Sequence, residues 1–198
     1  MRKLIYFVAS TLDGYIAEDP RVDPSGTVFE LEGDHAAALA AEYPEMIPFH
    51  VRPFLGMEGV QPRHFDTVLE GRGSYQVGLD QGIPNAYPHL RHLVFSTTLE
   101  TAADPDIEIV STDALNRVRS LKAENGDLDI WLCGGGSLAA TLRPEIDEIH
   151  LKLNPVALGR GVPLFGSSDE GETVIDRFRL TSARTFDSGV ALLVYTRR

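Results

Sequence analysis

The run Trp131-Leu132-Cys133-Gly134-Gly135-Gly136-Ser137-Leu138 carries apolar strand residues straight into three glycines and a helix start. Glycines let a backbone approach a ligand closely. A helix N-terminus adds unpaired N–H donors and the positive end of a dipole. Together these suit a phosphate or pyrophosphate. A tight strand-to-helix turn without a ligand is the alternative, but three consecutive glycines exceed what a turn needs. The run is not a P-loop, since no Gly-Lys-Ser/Thr follows. It also comes too late in the chain for the usual dinucleotide fingerprint, which belongs to a first βαβ unit.

A second strand-to-helix corner stands at Glu70-Gly71-Arg72-Gly73-Ser74-Tyr75. Arg72 offers a guanidinium to a phosphate, with the Ser74 hydroxyl and backbone N–H groups beside it; a solvated charge is the plainer reading of a lone arginine. Ser96-Thr97-Thr98 places three hydroxyls at a strand end, where they suit a ribose or phosphate or, more simply, a local hydroxyl turn. Asp13-Gly14 reads as a turn after the first strand, and Asp13 is the weak candidate for an acid. In Pro155–Phe165, Gly159-Arg160-Gly161 brings Arg160 near an anion or forms a flexible loop. The histidines lack metal spacing: His89 and His92 are three apart, with Pro88 before them and no third ligand. There is no Gly-x-Ser-x-Gly element, and Cys133 reads as a buried strand residue.

The elements that must hold these residues alternate. Strands are expected at 3–9, 66–70, 90–95, 107–110, 128–133, 146–153, 173–182 and 189–196. The first reads as buried on both faces. Helices are expected at 34–43, capped by Asp34 and ended by Pro44, and around 74–77. Two more fall at 113–124, capped by Thr112 or Asp113, and at 137–142, stopped by Pro144. Residues 18–33 read as loop, and the Pro- and Gly-rich stretch 44–65 as a long irregular connection serving as lid, interface or mobile segment. The sum predicts an α/β protein with a mixed, mostly parallel sheet and an antiparallel C-terminal edge, in one domain over 1–198.

Composition bounds the rest. Among 198 residues, 43% are apolar and 24% charged, which excludes collagen-like and wholly disordered classes. One cysteine excludes an intramolecular disulfide framework. The net charge of −11 repels nucleic acid and anionic membranes but leaves room for a small phosphorylated ligand at a locally positive site. The apolar run after Met1-Arg2-Lys3 is too short for a signal core, and no stretch is long enough to span a bilayer. A soluble cytoplasmic protein is the expectation, with no metal, no nucleic acid and no membrane partner.

The ordered set of Ala9 with Leu12-Asp13-Gly14-x-Ile16-Ala17, Gly71-Arg72-x-Ser74-Tyr75, Ser96-Thr97-Thr98, Gly134-Gly135-Gly136-Ser137-Leu138 and Pro155…Gly159-x-Gly161…Leu164-Phe165 resembles the dihydrofolate reductase-like superfamily. Within it, the set is similar to the branch of the C-terminal reductase domain of the bifunctional riboflavin-biosynthesis enzyme and its stand-alone relatives. The resemblance implies a three-layer α/β fold with about eight strands, a homodimer, and NADPH across the C-terminal sheet edge. It implies that Ala9 and Ile16 hold the nicotinamide carboxamide, that Gly71, Arg72, Gly73 and Ser74 take the adenosine-side phosphates, and that Ser96 with Thr97 and Thr98 meets the adenosine ribose. Gly134, Gly135, Gly136, Ser137 and Leu138 would cradle the pyrophosphate.

Two departures stand out. Thr97 sits where relatives often carry an arginine for the 2′-phosphate, which leaves NADH open beside NADPH. Glu70 sits where they commonly have an apolar residue. A substrate-binding carboxylate is expected from among Glu30, Glu32, Asp34 and Glu42. The activity implied is a reductase passing a hydride from NADPH to a small heterocyclic or carbonyl/imine substrate, pterin- or pyrimidine-like. The alternatives are a riboflavin-pathway ribosylamino-pyrimidine phosphate reductase, with Arg160 or Arg52 as its anion site, and a non-catalytic nucleotide-binding module.

Overall fold

The computed structural model describes residues 1–166 and 175–198. In chain order it forms β1 (Leu4–Ser10), β2 (Tyr15–Ala17), α1 (Asp34–Glu42), β3 (Phe65–Gly71), α2 (Arg72–Asp80), β4 (Arg91–Phe95) and β5 (Glu108–Val110). There follow α3 (Ala114–Ala123), β6 (Asp129–Gly134), α4 (Gly136–Leu142), β7 (Glu148–Leu153), β8 (Val162–Pro163), β9 (Phe178–Thr185) and β10 (Ala191–Arg197). Eight strands make one sheet in the order β5-β4-β3-β6-β1-β7-β10-β9. Pairing is parallel from β5 to β7, and β10 and β9 close the sheet antiparallel. β2 and β8 pair separately and antiparallel; two- and three-residue strands leave no periodic signal, so the sequence pattern shows only loops there. The strand expected at 173–182 begins at Phe178; residues 173 and 174 lie outside the described residues.

β1 occupies the middle of the sheet, and its alternation explains why. Leu4, Tyr6 and Val8 enter one core with Val118 and Leu121 of α3 and Leu138, Ala139 and Leu142 of α4. Ile5 and Phe7 enter the other, with Phe65, Trp131 and Tyr43 and with Leu39 of α1. Tyr75 of α2 packs on Val94, on that same second face. A strand apolar at every position suits a parallel sheet covered on both sides. Three layers follow, with the C-terminal ends of β1, β3, β4 and β6 along one edge.

One expectation needs correction. Asp34 does not cap α1. Gly33, at φ 120°, precedes the helix, and the Asp34 carboxylate accepts the N–H groups of Asp187 at 2.8 Å and Ser188 at 3.1 Å, in the β9–β10 turn. The stretch 44–65 is irregular, as expected, and is braced from within. Fully buried Glu45 accepts the N–H groups of Arg63, His64 and Phe65 at 3.1, 2.8 and 3.0 Å. The buried Arg52 guanidinium donates to the carbonyls of Pro44, Met57 and Val60.

Buried histidines set an acid limit on this fold. His150 is 8% exposed among Phe7 and Tyr43. Burial pulls its pKa below the ordinary 6.5, against the opposing pull of Glu148, whose carboxylate meets Nε2 at 3.0 Å. His89 shifts the same way, with burial again the largest cause. The folded state therefore holds fewer protons than the unfolded chain below pH 6.5, so this stability is present above that pH and is lost as the pH falls. Urea midpoints measured from about pH 7.5 to 5.5 should fall with acid, at up to about 1.4 kcal/mol per pH unit for each such histidine, and His150→Gln should flatten the slope. An unchanged slope in the variant would take His150 out of this account.

Candidate functional site

The shared sheet edge opens into a cleft of about 1810 Å³. Ala9, Ile16, Gly71–Ser74, Ser96–Thr98 and Gly134–Leu138 all line it. Two corners form its phosphate-sized floor. At the first, β3 ends in Gly71 and α2 begins; at the second, β6 ends in Gly134 and Gly135 precedes α4. Neither helix start has a side-chain cap among the described residues, whereas the Asp113 carboxylate caps α3. The first-turn N–H groups of α2 and α4 are thus left to whatever enters the cleft.

The glycines have separate reasons. A β-carbon on Gly71 would lie 3.4 Å from the Gly135 nitrogen and 3.4 Å from Leu138 Cβ, so the two corners touch. Gly134 holds φ +143°, a region that side chains other than glycine's rarely enter, and its peptide bond to Gly135 is cis. Gly135 has an ordinary φ of −88°, and a β-carbon there would meet Ser74 Oγ at 3.6 Å. Gly136 is pressed from outside: a β-carbon would stand 2.2 Å from the Pro163 carbonyl oxygen. The strap that presses it is anchored by Gly166 N–H to Gly136 O at 2.9 Å, Leu164 N–H to Gly14 O at 2.8 Å and Tyr6 O–H to Leu164 O at 2.8 Å.

Polar groups are divided between structure and cleft. Arg72 is half-buried, and its Nη1 is shielded from solvent without a hydrogen-bond partner among the described residues. Ser96 Oγ accepts the N–H groups of Thr98 at 3.2 Å and Leu99 at 3.0 Å, the local hydroxyl turn. Asp13 stands outside the cleft lining. Its carboxylate accepts from Thr11 Oγ1 at 2.6 Å and from the N–H groups of Leu158 and Gly159 at 3.0 and 2.6 Å. Those bonds, the Thr11 hydroxyl first, hold its pKa at about 2, so Asp13 latches the loop after β7 and stays ionised. Arg52 is closed on backbone carbonyls, and Arg160 is exposed away from the cleft lining. Of the carboxylates considered for substrate, Glu30 and Glu32 line the cleft; Asp34 holds the hairpin turn and Glu42 pairs with Arg184.

The cleft wall also holds residues whose role the sequence did not show. Cys133 is a half-buried wall residue rather than a core one; burial, then the adjacent Glu70 carboxylate, pushes its thiol pKa well up. Glu70, 7% exposed, meets His92 Nε2 at 2.8 Å. His92 Nδ1 lies 3.2 Å from Asn85 Oδ1, which already accepts the Tyr87 N–H at 3.0 Å. With Asn85 Oδ1 assigned as an acceptor by that network, Nδ1 donates to it, and Nε2 bonds the Glu70 carboxyl. Lys152, at the end of β7, also lines the cleft.

A mostly parallel sheet with an antiparallel C-terminal pair, and a cleft over two glycine corners, define a dihydrofolate reductase-like α/β protein. Known proteins make the class narrower. The family model for the RibD C-terminal domain matches residues 77–192, and the chain belongs to that family. It is 35% identical over 144 residues to the uncharacterized protein YyaP of Bacillus subtilis (strain 168), covering 66% of this chain and 73% of that protein. It is 28% identical over 194 residues to YwjB of the same organism, covering 96% of each. Its fold matches a crystal structure of a putative riboflavin biosynthesis protein from Shewanella sp. PV-4, with TM-score 0.66, 19% identity, and 100% and 99% of the two chains covered. It also matches the diaminohydroxyphosphoribosylaminopyrimidine deaminase/5-amino-6-(5-phosphoribosylamino)uracil reductase of Thermotoga maritima, with TM-score 0.60 and 17% identity. That match covers 100% of this chain but 57% of the larger one. Dihydrofolate reductase from Enterococcus faecalis, complexed with NADP(H), gives TM-score 0.60 at 14% identity over 99% and 96% of the chains. No described helix is long and apolar enough to cross a membrane.

The glycines divide between packing and cradle. Gly136→Ala should destabilise the fold by roughly 1–3 kcal/mol, because the obstacle is a backbone oxygen. Gly135→Ala should melt close to wild type, since its φ and its space both admit a β-carbon. Urea denaturation of the two variants checks this, and equal losses would refute the assignment.

Proposed function

We propose that the protein is an NADPH-dependent reductase that delivers a hydride to a small heterocyclic or carbonyl/imine substrate. The observation that carries this reading is the pair of uncapped helix starts meeting at Gly71 and Gly135, with the unpartnered Arg72 Nη1 beside them. That donor set fits a nicotinamide dinucleotide. The N–H groups at Gly135–Ser137 would take the pyrophosphate, and Arg72 with Ser74 the adenosine-side phosphate. Thr97 offers no charge, so any preference for NADPH over NADH falls to Arg72. Ala9 and Ile16 line the far end, where the nicotinamide would lie. The reductases among the structural neighbours support the same reading.

When bound, the reduced nicotinamide supplies the hydride; the residues supply orientation and protons. Phe7, Tyr43 and Trp131 give the other half of the cleft flat apolar walls. Reduction of C=N or C=O also needs a proton. We assign that proton to the Glu70–His92 pair, bonded at 2.8 Å on the cleft wall beside Cys133. The phosphoribosyl alternative loses its anion sites, since Arg52 and Arg160 are placed elsewhere.

NADPH fluorescence should change on titration into the protein. Arg72→Ala should raise the Kd for NADPH by about 10- to 100-fold, near 1.5–3 kcal/mol, and leave the melting curve almost unmoved because no internal bond is lost. Absence of binding by either nicotinamide cofactor would end the reading, and binding without turnover on any carbonyl, pterin or pyrimidine compound would favour the non-catalytic module. On a substrate that oxidises NADPH, Glu70→Gln should lower kcat by roughly 100-fold with the NADPH Kd unchanged. Full kcat in that variant would assign the proton to water.

A further inference from the structure

The chain has three lysines. Lys3 meets Glu148 at 2.7 Å, and Lys122 meets Asp147 at 2.7 Å and donates to the Glu145 carbonyl at 2.9 Å. Lys152 differs. It is half-buried on β7, between Ala9 of β1 and Leu192 of β10, and it lines the cleft. No carboxylate or hydrogen-bond acceptor among the described residues reaches its ammonium, and burial alone shifts its pKa, downward. Its stem is covered while its ammonium opens to the cleft, and such a partly desolvated cation gains from an anionic ligand.

Its position separates it from the phosphate corners. Ala9 is the register partner of Lys152, and β3, which ends at the Arg72 corner, lies three strands away. Strand spacing puts that separation at roughly 14 Å. Lys152 therefore serves the half of the cleft walled by Phe7, Tyr43 and Trp131. Its partner is monovalent by chemistry: one ammonium, with no arginine fork and no helix start beside it, matches a carboxylate better than a phosphate dianion. Glu30 and Glu32 also line the cleft.

From this juxtaposition we infer that Lys152 is a specificity-determining residue, pairing with a carboxylate carried by a flat, ring-containing substrate. The inference rests on the reading of the cleft as a reductase site and names the class of molecule it reduces. The probes are benzoate, its neutral isostere benzamide, and phenyl phosphate, titrated by NMR into the whole protein with and without NADPH. Wild type should bind benzoate at least tenfold more tightly than benzamide. Lys152→Met should lose that preference while keeping its NADPH Kd, and Lys152→Arg should retain part of it. Equal binding of benzoate and benzamide by wild type overturns the inference whether or not Lys152→Met folds. So does a preference that survives in Lys152→Met, and so does tighter binding of phenyl phosphate than of benzoate. If the benzoate preference appears but NADPH fluorescence never changes, the reductase reading fails while the carboxylate site stands.

Discussion

A β-carbon on Gly71 would press on the Gly135 nitrogen at 3.4 Å, so the corner after β3 and the corner after β6 can approach only as bare backbone. Most of the site follows from that contact. It brings two helix starts side by side, sets Ser74 Oγ against both glycines of the second corner, and leaves Arg72 half-buried between cleft and core. The β6 corner is held in turn by the strap over Gly136, and the strap by Gly14 and Tyr6. The apolar alternation of β1 keeps the whole arrangement in the sheet's middle, where strands on either side reach the same edge.

Charge in this molecule is placed against its own average. The chain is acidic by 11 charges, yet two half-buried cations, Arg72 and Lys152, line the cleft with no carboxylate among the described residues bonded to them. Surface acidity spreads its potential through water and salt, whereas a cation in a low-dielectric cleft acts at short range. Net charge therefore says little about what the cleft attracts. The acids are arranged differently: Asp13, outside the cleft lining, is locked as an anion, and Glu70, at the cleft wall, is bonded to His92.

What the sequence made legible follows from range. β1 and α3 read clearly because their patterns are local: an unbroken apolar run, and Val118 and Leu121 recurring after a capping Asp113. The glycine corners read clearly because few local structures need such runs. Asp34 misled because its partner is tertiary, and Arg52 because its own segment closes around it. The first binds a turn 153 residues away, and the second folds back on carbonyls of an irregular segment. Lys152 gave no signal because Ile149-His150-Leu151-Lys152 alternates like a strand with one wet face. Only the packing of Tyr43 and Phe7 over that face shows it to be covered. Gly136 looked like part of the cradle, and nothing near it in the chain announces the strap at Pro163.

The central place of β1 has a cost in assembly. Ile5 finds its neighbours at Trp131 and Glu148, so the first strand made is among the last to be enclosed. On the ribosome its apolar side chains must wait for more than a hundred residues of later synthesis, and closing such a large loop slows the search for the native pairing. A newborn chain would thus present a greasy, unpaired ribbon until its second half emerges, the kind of exposure that invites aggregation and chaperone capture.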